Sequence, residues 1–238
     1  MSEQAAAPAA GEEKKQRIQV CLGFSSFQCW KVDREWRRLD AGTKKRHVEE
    51  FVKAVESAYG KESLVSAFST AGLKADTDFI IWTKAKTIDQ IHALGRAQLK
   101  TEFSKWAELS HNYSAMLKGS PYEQEDKTFV AQDDYKFLFV YPFVKTRAWY
   151  NLPLPERMRI MKAHIDKSAP YPMVRINTSY SFGIDDQDFV VAFESDQADK
   201  FVNLVQDLRE TESSLYTERD TPMYVGVKTP LAELLSEF

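Results

Sequence analysis

Cysteine is scarce in this chain: there are two among 238 residues, Cys21 and Cys29. Both fall in one strand-like stretch. Eight residues apart on an extended strand they stand roughly 26 Å from each other, too far to bridge. That usage suits a reducing, cytoplasmic setting. Histidine is nearly as rare, with four scattered residues and no paired spacing, which argues against a zinc site. No apolar run approaches the ~20 residues needed to cross a bilayer, so no membrane partner is expected. The N-terminus carries no apolar core of an export signal. Basic residues are not in excess: 32 Lys and Arg against 35 Asp and Glu leave a net charge of −3. That balance argues against a general nucleic-acid binder, and the cations do not cluster among the aromatics as single-strand binding requires. GxSxG, P-loop and GxGxxG motifs are all missing.

What is present is a 43% apolar composition, enough for a sizeable core in one large domain or two small ones. Residues 1–16 are Ala, Pro and charge without periodicity, and read as a disordered tail. From Arg17 to Val32 the chain alternates as a strand. Asp33 is placed to cap a short helix through Arg38, and Thr43 the next, whose apolar stripe is Val48, Phe51, Val52, Val55 and Ala58 and which Gly60 ends. Strands are expected at Leu64–Ser69 and Asp78–Thr83. Helical pieces follow, with Ile91, Leu94 and Leu99 inward and then Phe103, Trp106 and Leu109. A strand at His111–Leu117 closes this half. Residues 119–134 are polar and irregular, a connection long enough to be functional.

The second half repeats the order. Phe137–Phe143 reads as a strand closed by Tyr141-Pro142, and Pro155–Lys167 as a helix with Met158, Met161 and Ile165 on one face. Strands at Val174–Phe182 and Phe189–Phe193, a helix at Asp199–Thr211 and a strand at Met223–Val227 complete it. Asp76-Thr77-Asp78-Phe79 lies over Asp186-Gln187-Asp188-Phe189, each after a glycine turn and before an apolar strand. The expected fold is therefore α+β: two ferredoxin-like halves, 17–118 and 135–238, joined by 119–134, packed face to face or closed into a barrel. That fold hosts many functions and decides nothing alone. The acidic run Asp185-Asp186-Gln187-Asp188 reads as a turn rather than a cation site, because its counterpart sits in a matching turn.

Chemistry concentrates between Phe137 and Ile165. His164 borders the apolar face of its helix, and a neutral imidazole there suits an axial ligand for haem iron. Tyr141 offers an oxidisable phenol at the end of an apolar run. Lys145, with Arg147, sets cations beside it that suit carboxylates such as porphyrin propionates. Trp149 offers an indole N–H and a flat apolar face. Each also has a purely structural reading: a helix histidine bonded to a carbonyl, a core tyrosine, surface charge and core packing.

The run YPFVKTRAWYNLPLPERMRIMKAH, followed by VRINTSYSFGIDDQDFVVAFE and LRETESSLYTERDTPMYVG, resembles the chlorite dismutase superfamily. Within it the chain is most similar to the haem-forming branch, the coproheme decarboxylases. The resemblance spans about residues 17–228 and is most specific from Tyr141 to Gly226; Phe24–Leu39 also fits the larger members. It implies a dimeric α+β barrel within one chain, usually assembled as a homopentamer, with haem b or coproheme in the C-terminal half. By position His164 matches the proximal iron ligand and Tyr141 the tyrosine that becomes a radical. Lys145 matches the basic residue near the reacting propionate, and Trp149 the tryptophan at the porphyrin edge. The implied activity is hydrogen-peroxide-dependent decarboxylation of coproheme to haem b. Chlorite dismutation and haem binding without turnover are the alternatives. Two positions depart from the chlorite dismutases. Their distal arginine aligns with Asn177, with Arg175 two residues away on the same face of the strand. Their glutamate partner of the proximal histidine aligns with Ser213, or with Glu212 after a slip of one residue. Some decarboxylases carry a distal histidine before the tyrosine; none stands between Asn112 and Tyr141 here, where Gln124 to Asp126 or water would have to assist peroxide.

Overall fold

A computed structural model describes residues 20–58, 64–119 and 135–238. The tail, Gly60 and all but the first residue of the expected 119–134 connection, Gln124 to Asp126 included, lie outside the described residues. Nine strands form one sheet: β1 (Cys21–Val32), β2 (Leu64–Ser69), β3 (Phe79–Ala85), β4 (Ala107–Lys118), β5 (Phe137–Lys145), β6 (Arg175–Tyr180), β7 (Phe189–Ser195), β8 (Thr217–Arg219) and β9 (Tyr224–Lys228). Their order is β7-β6-β4-β1-β3-β2-β9-β5-β8, and β5 also pairs with β7. Eight strands thus close on themselves, with β8 attached to β5. The seams between the two halves are short: Met116 faces Tyr180 on one side, and Phe68 and Ser69 face Lys228 and Val227 on the other.

Among the described residues six α-helices accompany the sheet: α1 (Ala41–Ser57), α2 (Ile88–Gln98), α3 (Arg147–Asn151), α4 (Leu154–Ser168), α5 (Ala198–Arg209) and α6 (Leu231–Ser236). Asp40, not Thr43, caps α1, its side chain accepting the Thr43 N–H at 2.9 Å. Asp33 accepts the Glu35 N–H at 2.8 Å and so leads into only a short 3-10 turn, Trp36–Arg38. A capping box of Thr87 and Gln90 starts α2. Leu99 and Leu109, expected inward, are exposed. Leu99 lies just past the end of α2, and Leu109 belongs to strand β4, which begins four residues earlier than the pattern indicated. β5 runs three residues beyond Pro142, which faces Val190 on β7 but lies past Val140, the last β5 residue that β9 pairs.

Three apolar clusters follow from strand alternation. One contains strand residues alone, among them Phe27, Trp82, Val140, Ala192 and Tyr224, and fills the inside of the ring. A second lies outside the first half, where Phe51 and Val55 of α1 and Leu235 of α6 pack on Trp30 and Phe79. The third lies outside the second half, where Phe201 and Leu204 of α5 pack on Phe139, Tyr141 and Phe193. Helix α4 adds no side chain to these three clusters, although its Ile160 is fully buried.

The two Asp-x-Asp-Phe steps are built alike. Thr70 N–H donates to the Asp78 carbonyl at 3.1 Å and Ser181 N–H to that of Asp188 at 2.8 Å. Gly72 and Gly183 turn with φ of 74° and 71°, values that a side chain disfavours. Asp78 accepts the Val32 N–H and Asp188 the Lys145 N–H, each at 2.9 Å.

Candidate functional site

Strand β5 carries the site. Leu138 and Val140 point into the ring, while Phe139 and Tyr141 point outward. Tyr141 is 7% exposed and stacks on Phe193, with ring centroids 6.0 Å apart. Its hydroxyl makes no hydrogen bond to another described residue, and burial pushes the phenol above its usual range. A register shift between Val144 and Lys145 ends the regular ladder. Lys145 is nonetheless buried, at 9% exposure. Its Nζ donates to the Ser213 carbonyl at 2.8 Å and lies 4.8 Å from the centre of the Trp149 ring. Desolvation lowers this ammonium to about 8, since burial disfavours the charged form.

Asp188 fixes the local backbone. Besides the Lys145 N–H, its Oδ2 accepts the Tyr150 hydroxyl at 2.7 Å. Asp185 accepts the Ser114 N–H and the Gln187 amide, both at 2.9 Å. These carboxylates are thus taken up by hydrogen bonds to β4, β5, α3 and the turn itself. Thr146 opens α3 with its N–H on the Tyr216 carbonyl at 2.9 Å, and Trp149, 3% exposed, packs 5.4 Å from the Tyr216 ring. Arg147 points to solvent.

His164, on α4, has its Nδ1 2.8 Å from Ser213 Oγ and 3.5 Å from Thr211 Oγ1. Burial, then the Lys145 charge, lowers the imidazole to about 4. It is neutral at ordinary pH. With the ring proton on Nδ1 donated to Ser213, the Nε2 lone pair is available to a metal. Ser213 therefore links Lys145 and His164 through its carbonyl and its hydroxyl. The neighbouring Glu212 is held at the surface by Arg159 at 2.8 Å, so the slip that would bring Glu212 to the histidine does not occur. On the same helix Leu154, Met158 and Ile165, spaced to share a face, are 53%, 42% and 41% exposed.

Asn177 and Arg175 lie elsewhere. They face Ala192 and Glu194 on β7, the inward register. Asn177 Nδ2 donates to Glu194 Oε2 at 2.9 Å, and Arg175 reaches the same carboxylate at 2.7 Å. Tyr141 faces Val191 on the outward register, so Asn177 sits on the other side of the sheet. The β6 residues on the outward side are Ile176, opposite Phe193, and Thr178, opposite Val191. The structure thus joins His164 and Lys145 through Ser213, with Trp149 beside Lys145 and Tyr141 on the same face of β5. Asn177 is turned away.

A neutral imidazole with one nitrogen anchored, a cation beside it and an unpacked apolar helix face are the parts that an iron porphyrin needs. The sequence model of the family described as chlorite dismutase matches residues 44–229. The chain belongs to the chlorite dismutase family. Among its relatives, the coproheme decarboxylase of Mycolicibacterium smegmatis is 30% identical, over 71% of this chain and 75% of that protein. The chlorite dismutase of Ideonella dechloratans is 24% identical, over 89% and 78%. The structure of chlorite dismutase from Candidatus Nitrospira defluvii in complex with imidazole superposes with a TM-score of 0.83 at 23% identity, covering 91% of this chain and 95% of that one. The chlorite dismutase family includes haem-dependent enzymes. The mixed α+β fold is shared with them, and no described helix is long and apolar enough to cross a membrane.

Proposed function

We propose that this chain binds iron coproporphyrin III and, with hydrogen peroxide, decarboxylates two of its propionates to give haem b. His164 Nε2 would hold the iron, with Ser213 fixing the ring through Nδ1. Leu154, Met158 and Ile165 would face the macrocycle, Trp149 its edge, and Lys145 a propionate. The bound porphyrin supplies the oxidising power when peroxide reacts with it. Tyr141 would supply the oxidisable phenol, passing a hydrogen-atom deficit to the propionate β-carbon. The observation that carries the reading is the pairing of a neutral, anchored imidazole with a helix whose apolar face no cluster covers. The relative named coproheme decarboxylase supports the same reading. Two ferredoxin-like repeats forming a barrel, a homopentamer and a cytoplasmic location accompany it.

Chlorite dismutation is the second reading, favoured by the relative of that name. It calls for a cation on the outward face of β6, where Ile176 and Thr178 stand while Arg175 is held by Glu194. Haem binding without turnover is the third. Mixing the protein with iron coproporphyrin III and peroxide and weighing the porphyrin tests all three. Loss of two carboxyl groups is expected. Oxygen release from chlorite by haem-loaded protein would favour the second reading, and unchanged porphyrin with unconsumed peroxide the third. Tyr141→Phe is expected to bind coproheme and yield little product; normal turnover by that variant removes the radical role.

A further inference from the structure

Inside the ring, away from the site just described, His111, Tyr113 and Tyr224 form a three-ring cluster. Tyr224 lies 5.6 Å from His111 and 6.3 Å from Tyr113, centre to centre. The Tyr224 hydroxyl is 2.6 Å from His111 Nδ1. With the imidazole proton on Nε2, the phenol donates this bond. Tyr224 is 2% exposed, and the hydroxyls of Tyr113 and Thr77 are the other polar groups beside its own. On β5 the residue facing Tyr224 is Val140, next in the chain to Tyr141. The two phenols therefore lie on adjoining strands and opposite faces of one sheet.

A phenol that loses an electron becomes a strong acid. Where a phenol is buried, it gives up an electron readily only if a base accepts the proton at the same time. A carbonyl partner cannot do that; an imidazole can. Among the described residues Tyr141 has no base hydrogen-bonded to its hydroxyl; the Asp220 carboxylate acts on it only through its charge. A packing role alone asks for no imidazole at this hydroxyl.

We propose that Tyr224 and His111 form a proton-coupled redox pair, which takes an oxidising equivalent from the porphyrin site across the sheet at Val140–Tyr141. The proposal rests on the reading above for the source of that equivalent, a one-electron oxidant of the haem–peroxide class. In the step, the Tyr224 O–H bond breaks. The electron goes to the oxidant, which is reduced by one, and the proton bonds to His111 Nδ1. A neutral phenoxyl and an imidazolium remain. Return of one electron, with the same proton, restores both. The pair holds an equivalent that the substrate has not consumed.

Two measurements test this and separate it from the porphyrin reading. A ruthenium photo-oxidant attached to the exposed Cys21 thiol, the other cysteine being buried, is flashed with an electron acceptor, and the phenoxyl is followed by absorption and electron paramagnetic resonance. A persistent phenoxyl is expected in the parent and in Tyr141→Phe, and its loss in Tyr224→Phe. His111→Gln keeps a hydrogen-bond acceptor but no base, so the signal should collapse there too, while circular dichroism stays unchanged. An unaltered signal in either Tyr224→Phe or His111→Gln overturns the pair. Where Tyr224→Phe fails to fold, His111→Gln and ring-deuterated tyrosine in the parent carry the test. The second measurement treats haem-loaded protein with peroxide. A radical lost in Tyr224→Phe supports the transfer across the sheet. A photochemical phenoxyl with no peroxide-induced radical in any variant retains the pair and overturns the transfer and its porphyrin source.

Discussion

Lys145 and His164 are two cationic residues made poor cations by burial, and the sign of each follows from that. His164 falls from 6.5 to about 4 on folding. Between those values the unfolded chain binds the extra proton, so stability is lost as pH drops below 6.5. Titration of this one group should cost the porphyrin-free protein on the order of 2 kcal/mol by about pH 5. Urea unfolding of His164→Gln should lack that share of the acid slope. Lys145 falls from 10.5 to about 8. The unfolded chain again binds more protons between these values, so stability rises with pH across that window. Lys145→Met should be more stable than the parent at neutral pH, by about 2 kcal/mol, and should lack the alkaline rise. Tyr141, Lys145, Trp149 and His164 stand out in the sequence because strand, loop and helix follow directly in one stretch, and the structure brings Lys145 and His164 to a common partner, Ser213. Ser213 comes from a distant 3-10 turn and was readable only as one of two neighbours. Asn177 is aligned with the distal arginine by linear order alone, and linear order does not say which face a strand residue takes, because side chains alternate; Asn177 takes the face opposite Tyr141.

Among the elements, α4 shows pattern and placement in disagreement. Its apolar positions predict a buried face, yet Met158 is 42% exposed. Periodicity reports which residues share a face, not what covers it. Met158→Lys should therefore change the unfolding free energy of porphyrin-free protein by less than about 0.5 kcal/mol. It should weaken binding at least tenfold in a spectrophotometric titration with iron coproporphyrin. Helix α1 shows the contrary case. Asp40 caps it in the ordinary way, and Asp40→Ala should lower the thermal unfolding midpoint. The sequence placed this helix correctly and its cap three residues late, since Thr43 and Asp40 are both good capping types and only the backbone geometry selects between them.

At the scale of the molecule, closure of the sheet depends on a few pairings remote in sequence. Gly226 lies at one seam, where an added Cβ would sit 2.7 Å from Phe68 Cβ. Gly226→Ala should destabilise the whole chain by about 2 kcal/mol through that overlap, read as a lower urea midpoint with the slope retained. Local patterns gave most strands within a few residues, but nothing in them specified that β2 meets β9 or that β4 meets β6. Those contacts involve two residue pairs and one, too few to leave a periodic mark.

The outer surface of the first half is occupied by Trp30, Phe51 and Phe79, laid between strands and helix. A flat guest has no room there without displacing three aromatic rings. Titration with a tetrapyrrole should accordingly reach its end point at one equivalent per polypeptide rather than two, however closely the two turns correspond.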